Sequence, residues 1–247
     1  MAEDGFGALS GKAGIVTGAG RGIGEACAAL LAAHGARVML SDSEPGRLSA
    51  TAARLRDAGG EVETCVTDVR EWPSVRDLAD ACLRAFGVID FTVANAGIGS
   101  YSSLDEGDPE LWRRVVETNL LGVLHTVRAV FPHMKARRSG QIVLMASIAG
   151  RQTWVGEPVY IATKWGVVGL GWALRKEALP HDVRVTMIEP GMVDTPLLHE
   201  TDEGLGELER FAALSVDDVA RAVGFALAQP AGVAVSELMI TPVGPEL

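Results

Sequence analysis

The sequence predicts one α/β domain: a doubly wound parallel sheet of seven strands, with helices on both faces. Three observations carry that expectation. Short apolar runs alternate with longer amphipathic stretches from end to end, and strands separated by helices form right-handed βαβ units and a parallel sheet. A glycine-rich turn joins the first apolar run to the first helical stretch. No Pro- or Ser-rich linker and no repeat beyond the βα alternation divides the 247 residues, a length that buries a core without staples.

Strands are expected over 13–17, 37–41, 62–66, 88–94, 141–146, 183–189 and 234–241. The first helix follows the glycine turn through about Ala33, with Gly35 just past its end, where a left-handed residue is favoured. Further helices are expected over 45–58, 72–86, 109–137, 156–179 and 216–228. Gly59-Gly60 and Gly87 close two of them, and Pro180 stops another. The long helix over 109–137 has bend points near Gly122 and Pro132. Residues 198–213 are polar, mixed and interrupted by Gly204 and Gly206, and read as a mobile substrate lid. The whole chain, with its core over about 11–244, reads as one domain.

Composition narrows the function. The formal charge is −10, which repels a phosphate backbone and argues against a nucleic-acid partner. Lys135, Arg137 and Arg138 form the densest basic spot, at a predicted helix end where cations suit the dipole. Apolar residues make up 48% of the chain but aromatics only 5%, so Ala, Val, Leu and Gly fill the core. Cys27, Cys65 and Cys82 are far apart, with no CxxC pair, and five scattered histidines lack ligand spacing, so no metal is expected. Reduced thiols, no membrane-length apolar run and no signal-like N-terminus together read as a cytoplasmic protein without a membrane partner.

The turn itself reads Thr17-Gly18-Ala19-Gly20-Arg21-Gly22-Ile23-Gly24. Gly18 permits the tight turn, Gly22 lets backbone approach a pyrophosphate, and Gly24 lets helix pack on strand. The helix N-terminus offers N–H groups and partial positive charge to a phosphate. Asp42 ends the second strand eighteen residues past Gly24, a distance at which a carboxylate reaches the hydroxyls of an adenine ribose. Its competing role is to cap the helix beginning at Pro45, which Ser43 could do equally.

Tyr160 and Lys164 stand four apart, on one helix face. A free phenol titrates near pH 10. A nearby ammonium favours phenolate and makes the pair a plausible proton donor to a carbonyl oxygen. Ser147 directly follows the fifth strand, at the C-terminal sheet edge where ligands of open α/β sheets bind. It could hold a substrate oxygen beside the Tyr160 hydroxyl, or simply start a turn.

These residues, with Asn95-Ala96-Gly97, Asn119 and Pro190-Gly191, stand in the order and spacing of a known family. From about Gly11 to Gly244 the sequence resembles the short-chain dehydrogenase/reductase family, which implies a Rossmann-type domain and a nicotinamide cofactor. The resemblance makes Tyr160 the general acid/base, Lys164 the group that lowers its pKa and bonds the nicotinamide ribose, and Ser147 the anchor of the substrate oxygen. It implies that Asn119 bends its helix and holds a water linking Lys164 to solvent. Asn95, Ala96 and Gly97 would shape the loop beside the adenosine. Asp68 and Val69 would contact adenine, Thr195 the nicotinamide carboxamide, and Pro190, Gly191 and Val193 the same end of the cofactor. The sequence departs from the family at Ala94 and Ala146, where Asn and Ser are frequent, and at the C-terminal strand, which ends Thr241-Pro242-Val243-Gly244.

The expected activity is hydride transfer between NAD(H) and a secondary alcohol or ketone. Asp42 favours NAD over NADP; Arg21 pulls the other way, from farther off. The substrate end should be apolar, built from Ile98, Tyr101, Trp154, Val155, Met192, Leu197 and Leu198. Glu157 is either a polar contact there or a helix-start carboxylate. Excess apolar surface on the two long helices, including Val167, Val168, Leu170 and Ala173, suggests a homodimer or homotetramer. Trp165 and Trp172 share a face and read as core or subunit contact. A non-catalytic dinucleotide sensor is the competing class, and a SAM- or FAD-binding protein a third; neither explains Ser147, Tyr160 and Lys164 together.

Overall fold

The computed structural model describes residues 7–200, 205–206 and 210–244. These form seven strands: β1 (Ala13–Thr17), β2 (Arg37–Asp42), β3 (Val62–Val66), β4 (Phe91–Ala94), β5 (Gly140–Met145), β6 (Val183–Pro190) and β7 (Glu237–Ile240). All pair in parallel, in the order β3-β2-β1-β4-β5-β6-β7. The chain winds outward from β1 in one direction and then from β4 in the other. The crevice at the carboxyl ends of β1 and β4 is therefore the point where an open α/β sheet takes its ligand.

Strand periodicity divides the core. Val16, Val38, Leu40, Val93 and Val143 face one side, where α1 (Gly22–Ala33), α2 (Pro45–Asp57) and α7 (Val216–Leu227) cover them. Ile15, Met39, Ile142, Leu144 and Met187 face the other, under α3 (Trp72–Phe86), α5 (Gly122–Arg137) and α6 (Pro158–Ala178). Burial on both faces is why these strands read as unbroken apolar runs. Proline in the first turn starts α2, α3, α4 (Pro109–Val116) and α6, where its missing N–H costs nothing. Ser215 and Asp218 close a reciprocal capping box on α7.

The long helix over 109–137 is interrupted. α4 runs into a π turn, Glu117–Leu121, before α5 begins, with helical backbone on both sides of the junctions. The π turn ends beside Gly122, where a Cβ would lie 2.7 Å from Val69, while Pro132 stays inside α5. β4 begins at Phe91 rather than Val88. Ile89 is buried without being laddered, and its N–H donates to His133 Nε2 at 3.3 Å. Residues 234–236 likewise precede β7. Of the expected lid, residues 201–204 and 207–209 lie outside the described residues. Its flanks meet where Val193 and Leu214 bridge and the Asp194 N–H donates to the Leu214 carbonyl at 2.8 Å.

Candidate active site

At the switch point Gly18 and Gly22 adopt φ of 66° and 59°, the left-handed region that a side chain disfavours. A Cβ on Gly24 would stand 2.1 Å from the Gly18 carbonyl oxygen, so only glycine lets α1 come this close to the turn. Arg21 is the N-cap of α1 and gives it no side-chain cap. The first-turn N–H groups are therefore left to a ligand, and with the dipole they suit a phosphate. Thr17 and Asn95, the latter just past β4, tie the turn down. Thr17 Oγ1 accepts from the N–H groups of Asn95 and Ala96 at 3.0 and 3.1 Å, and Asn95 Nδ2 donates to the Thr17 carbonyl at 3.0 Å. A bound dinucleotide fits this cradle.

A cavity of about 400 Å³ runs from that turn along the strand ends to the start of α6. Gly18, Arg21, Gly22, Ile23, Asp42, Asp68, Val69, Asn95, Ala96, Gly97, Ser147, Trp154, Tyr160, Lys164, Pro190, Gly191, Met192, Val193 and Thr195 all line it. Gly20, Gly24 and Asn119 stand behind its wall and act through others. The Gly20 N–H donates to Asp42 Oδ2 at 3.0 Å. Asn119, 1% exposed in the π turn, accepts from the Ile98 N–H and donates to the Ile98 carbonyl, both at 2.9 Å. Its amide thus pins the loop after β4, a purpose that spacing alone did not reveal. Val155 is 96% exposed and falls outside the cavity, correcting its place among the pocket residues. Val167 and Val168 are core. The exposed apolar surface on α6 is carried by Trp165 and Trp172 instead.

Asp42 does two local jobs, since its Oδ1 also accepts from the Glu44 N–H at 2.9 Å and so shapes the entry to α2. Arg47 on the first turn of α2 reaches it at 3.5 Å and lines the cavity too. A basic residue one turn into the helix after an acidic strand end was the available signal for Arg47. Arg70 is a second unforeseen wall residue. It forks onto Asp68 at 2.5–3.1 Å and holds that carboxyl below its usual range.

At the other end Ser147 Oγ accepts from the Ala149 N–H at 3.1 Å, so the serine does start a turn; it also hydrogen-bonds Tyr160. Lys164, 6% exposed, donates to the Met145 carbonyl at 2.9 Å, and its Nζ lies 5.5 Å from the Tyr160 ring centroid. Burial lowers its pKa to about 8. Tyr160 is partly exposed to the cavity, yet its phenol is held above the ordinary value, against the expectation that Lys164 lowers it. Enclosure is the main cause, the Glu157 charge adds to it, and the Ser147 bond opposes both. Cys27 and Cys82 are buried and pushed up to about 12, as inert thiols are. Among the described residues no cluster of metal-ligating side chains occurs and no helix is long and apolar enough to cross a membrane.

A glycine cradle and an acidic strand end at the switch point of a doubly wound sheet define a nucleotide-binding Rossmann-type protein. Comparison with known proteins makes the class specific. The family model for short chain dehydrogenase matches residues 12–206. An uncharacterized oxidoreductase of Staphylococcus saprophyticus is 39% identical over 236 residues, 95% of this chain and 99% of that protein. A metagenomic short-chain oxidoreductase solved with NADP superimposes with a TM-score of 0.83 at 31% identity, covering 96% of this chain and 99% of that one. An alcohol dehydrogenase from the archaeon Thermococcus sibiricus, solved with 5-hydroxy-NADP, gives 0.85 at 33%, covering 94% and 97%. The chain belongs to the short-chain dehydrogenase family of oxidoreductases.

Proposed function

We propose that the chain moves a hydride between NAD(H) and a secondary alcohol or ketone, with Tyr160 as the acid/base. The observation that carries this reading is the shared cavity: Ser147, Tyr160 and Lys164 line one end of it and the glycine cradle the other. A bound nicotinamide supplies the hydride in reduction and takes it in oxidation. In the reducing direction the carbonyl carbon gains the hydride and the carbonyl oxygen takes the Tyr160 proton, leaving a phenolate. Ser147 holds that oxygen against the phenol. The Lys164 ammonium stabilises the phenolate and, through its reach along the cavity, the nicotinamide ribose. Pro190, Gly191, Val193 and Thr195 line the same cavity.

NAD is the preferred cofactor on this reading. The Asp42 carboxylate accepts from a ribose 2′-hydroxyl and repels a 2′-phosphate. Arg47 and Arg21 reduce that repulsion, so NADP is used more weakly rather than refused. The two structural relatives named above were solved with NADP-type cofactors, which makes the preference the point to measure. We also propose a homodimer or homotetramer in the cytoplasm, supported by the exposed Trp165 and Trp172 on α6 and Leu121 and Leu124 at the π turn and α5. The test is a panel of secondary alcohols and ketones with both cofactors, followed by the absorbance of the reduced nicotinamide. Turnover faster with NADP(H) refutes the preference; none with any pair refutes the activity.

A further inference from the structure

The loop after β3 carries three residues of the cavity wall, Asp68, Val69 and Arg70. Most of its described hydrogen bonds stay on its own side of the fold. The Thr67 N–H donates to the Asp42 carbonyl at 2.9 Å, and the Asp68 N–H to Ser74 Oγ, in the first turn of α3, at 3.1 Å. The Arg70 and Glu71 N–H groups bond back to Asp68. One bond comes from a different helix. His125 Nδ1, in the first turn of α5, lies 2.9 Å from the Val69 carbonyl oxygen. A carbonyl oxygen only accepts, so Nδ1 carries a proton and donates it.

Val69 is gripped by side chain and backbone together. Gly122 and His125 are three apart and share a helix face. At Gly122 a Cβ would lie 2.7 Å from Val69 Cγ2, so the glycine lets α5 close on the valine side chain while His125 takes its carbonyl. The Trp72 ring stands beside the imidazole, with centroids 6.0 Å apart and planes tilted by 55°, and the Arg128 guanidinium lies over the same indole at 5.7 Å. These neighbours limit how the imidazole can turn. The same stretch of chain also holds the loop after β4, because Asn119 bonds both backbone groups of Ile98, another cavity residue. Residues 119–125 therefore fasten two loops of the cavity wall, those after β3 and β4.

Resting on the reading of this cavity as a dinucleotide site, we propose that His125 is a positioning residue for the adenosine half of the cofactor. Its bond to Val69 holds Asp68, Val69 and Arg70 in place, as Asn119 holds Ile98. His125 stands behind the cavity wall and not in it, so it acts through the loop. A loop ordered before binding has less freedom to lose when the ligand arrives. Losing the bond therefore weakens cofactor affinity and leaves the chemistry at Tyr160, at the other end of the cavity, in place.

The test measures two dissociation constants with the full-length protein. NADH is followed by its fluorescence, and ADP-ribose, which keeps the adenosine half and lacks the nicotinamide, by calorimetry. His125→Leu keeps comparable bulk and removes the donor. It should raise both Kd values by about three- to tenfold, the range of one net hydrogen bond. In steady-state reduction it should raise KM for NADH with kcat within about twofold. His125→Asn carries an amide N–H on the same side-chain carbon that bears Nδ1 in histidine, and should bring both Kd values back to within about twofold of the wild type. Amide hydrogen exchange over residues 67–71, without ligand, should quicken in the Leu variant and recover in the Asn variant. Unchanged Kd values in His125→Leu, even with faster exchange, make His125 a structural residue and overturn the inference while the dinucleotide reading stands. A loss that His125→Asn does not restore, or one seen with NADH and not with ADP-ribose, overturns it as well. A wild type that binds none of NADH, NADPH and ADP-ribose sinks the dinucleotide reading and the inference with it.

Discussion

Replacing Lys164 with Met should abolish turnover and stabilise the fold. The ordinary lysine value is 10.5 and burial brings this one to about 8. At about 1.4 kcal/mol per pKa unit, holding the buried ammonium costs about 3 kcal/mol at neutral pH. Loss of the 2.9 Å bond to the Met145 carbonyl returns about 1 kcal/mol of that, leaving a net gain near 2 kcal/mol, or about 4–8 °C in Tm for a chain of this size. The pH dependence has a definite sign. Unfolded, Lys164 keeps its proton to about pH 10.5; folded, it loses it near pH 8. Between those values the unfolded chain binds more protons, so the wild type gains stability as pH rises. The Met variant lacks this slope. Its advantage is therefore largest below pH 8 and shrinks toward pH 10. Denaturant unfolding of both proteins at pH 7, 8.5 and 10 measures the gap. A variant less stable than wild type at pH 7, or a gap constant with pH, refutes the reasoning.

Tyr160→Phe should lower kcat by about 10²-fold or more while the cofactor Kd, read by nicotinamide fluorescence, changes by less than about threefold, because only the transferable proton is lost. Asp42→Ala should raise the NADP-to-NAD ratio of kcat/KM by about tenfold or more, and Arg47→Ala in the wild-type background should lower it; steady-state kinetics with both cofactors reads each. Arg151→Ala removes the guanidinium 2.8 Å from Glu189, a carboxylate whose side chain is 2% exposed. That should cost about 3 kcal/mol in urea unfolding, the penalty of a buried charge left unpaired.

The fold was legible where the signal was local. Strands buried on both faces are short apolar runs, and the spacing of Gly18, Gly22 and Gly24 is set by backbone geometry that no other residue satisfies. Boundaries failed where apolar character meant burial rather than pairing: Val88 and Ile89 extend an apolar run but lie in a loop, and Ile89 answers to His133 rather than to a neighbouring strand. The π turn failed for another reason. It places the Asn119 amide on both backbone groups of Ile98, a contact across twenty-one residues that no helix-propensity argument contains. Arg47 and Arg70 were missed because a charge on an exposed helix turn or loop looks solvated until the fold shows which acid it faces.

The site's electrostatics show most clearly what spacing leaves open. An i, i+4 pair places Tyr160 and Lys164 on one face, but the sign of their pKa shifts depends on what encloses them. Burial disfavours charge on both, pushing the phenol up and the ammonium down. On the proposed reading both shifts work against the proton relay, because a raised phenol is the weaker acid in reduction and its phenolate is harder to form in oxidation. Ser147 favours the phenolate and Glu157 opposes it, so how readily Tyr160 gives up its proton is set by the balance of the groups that enclose it and not by its spacing from Lys164 alone.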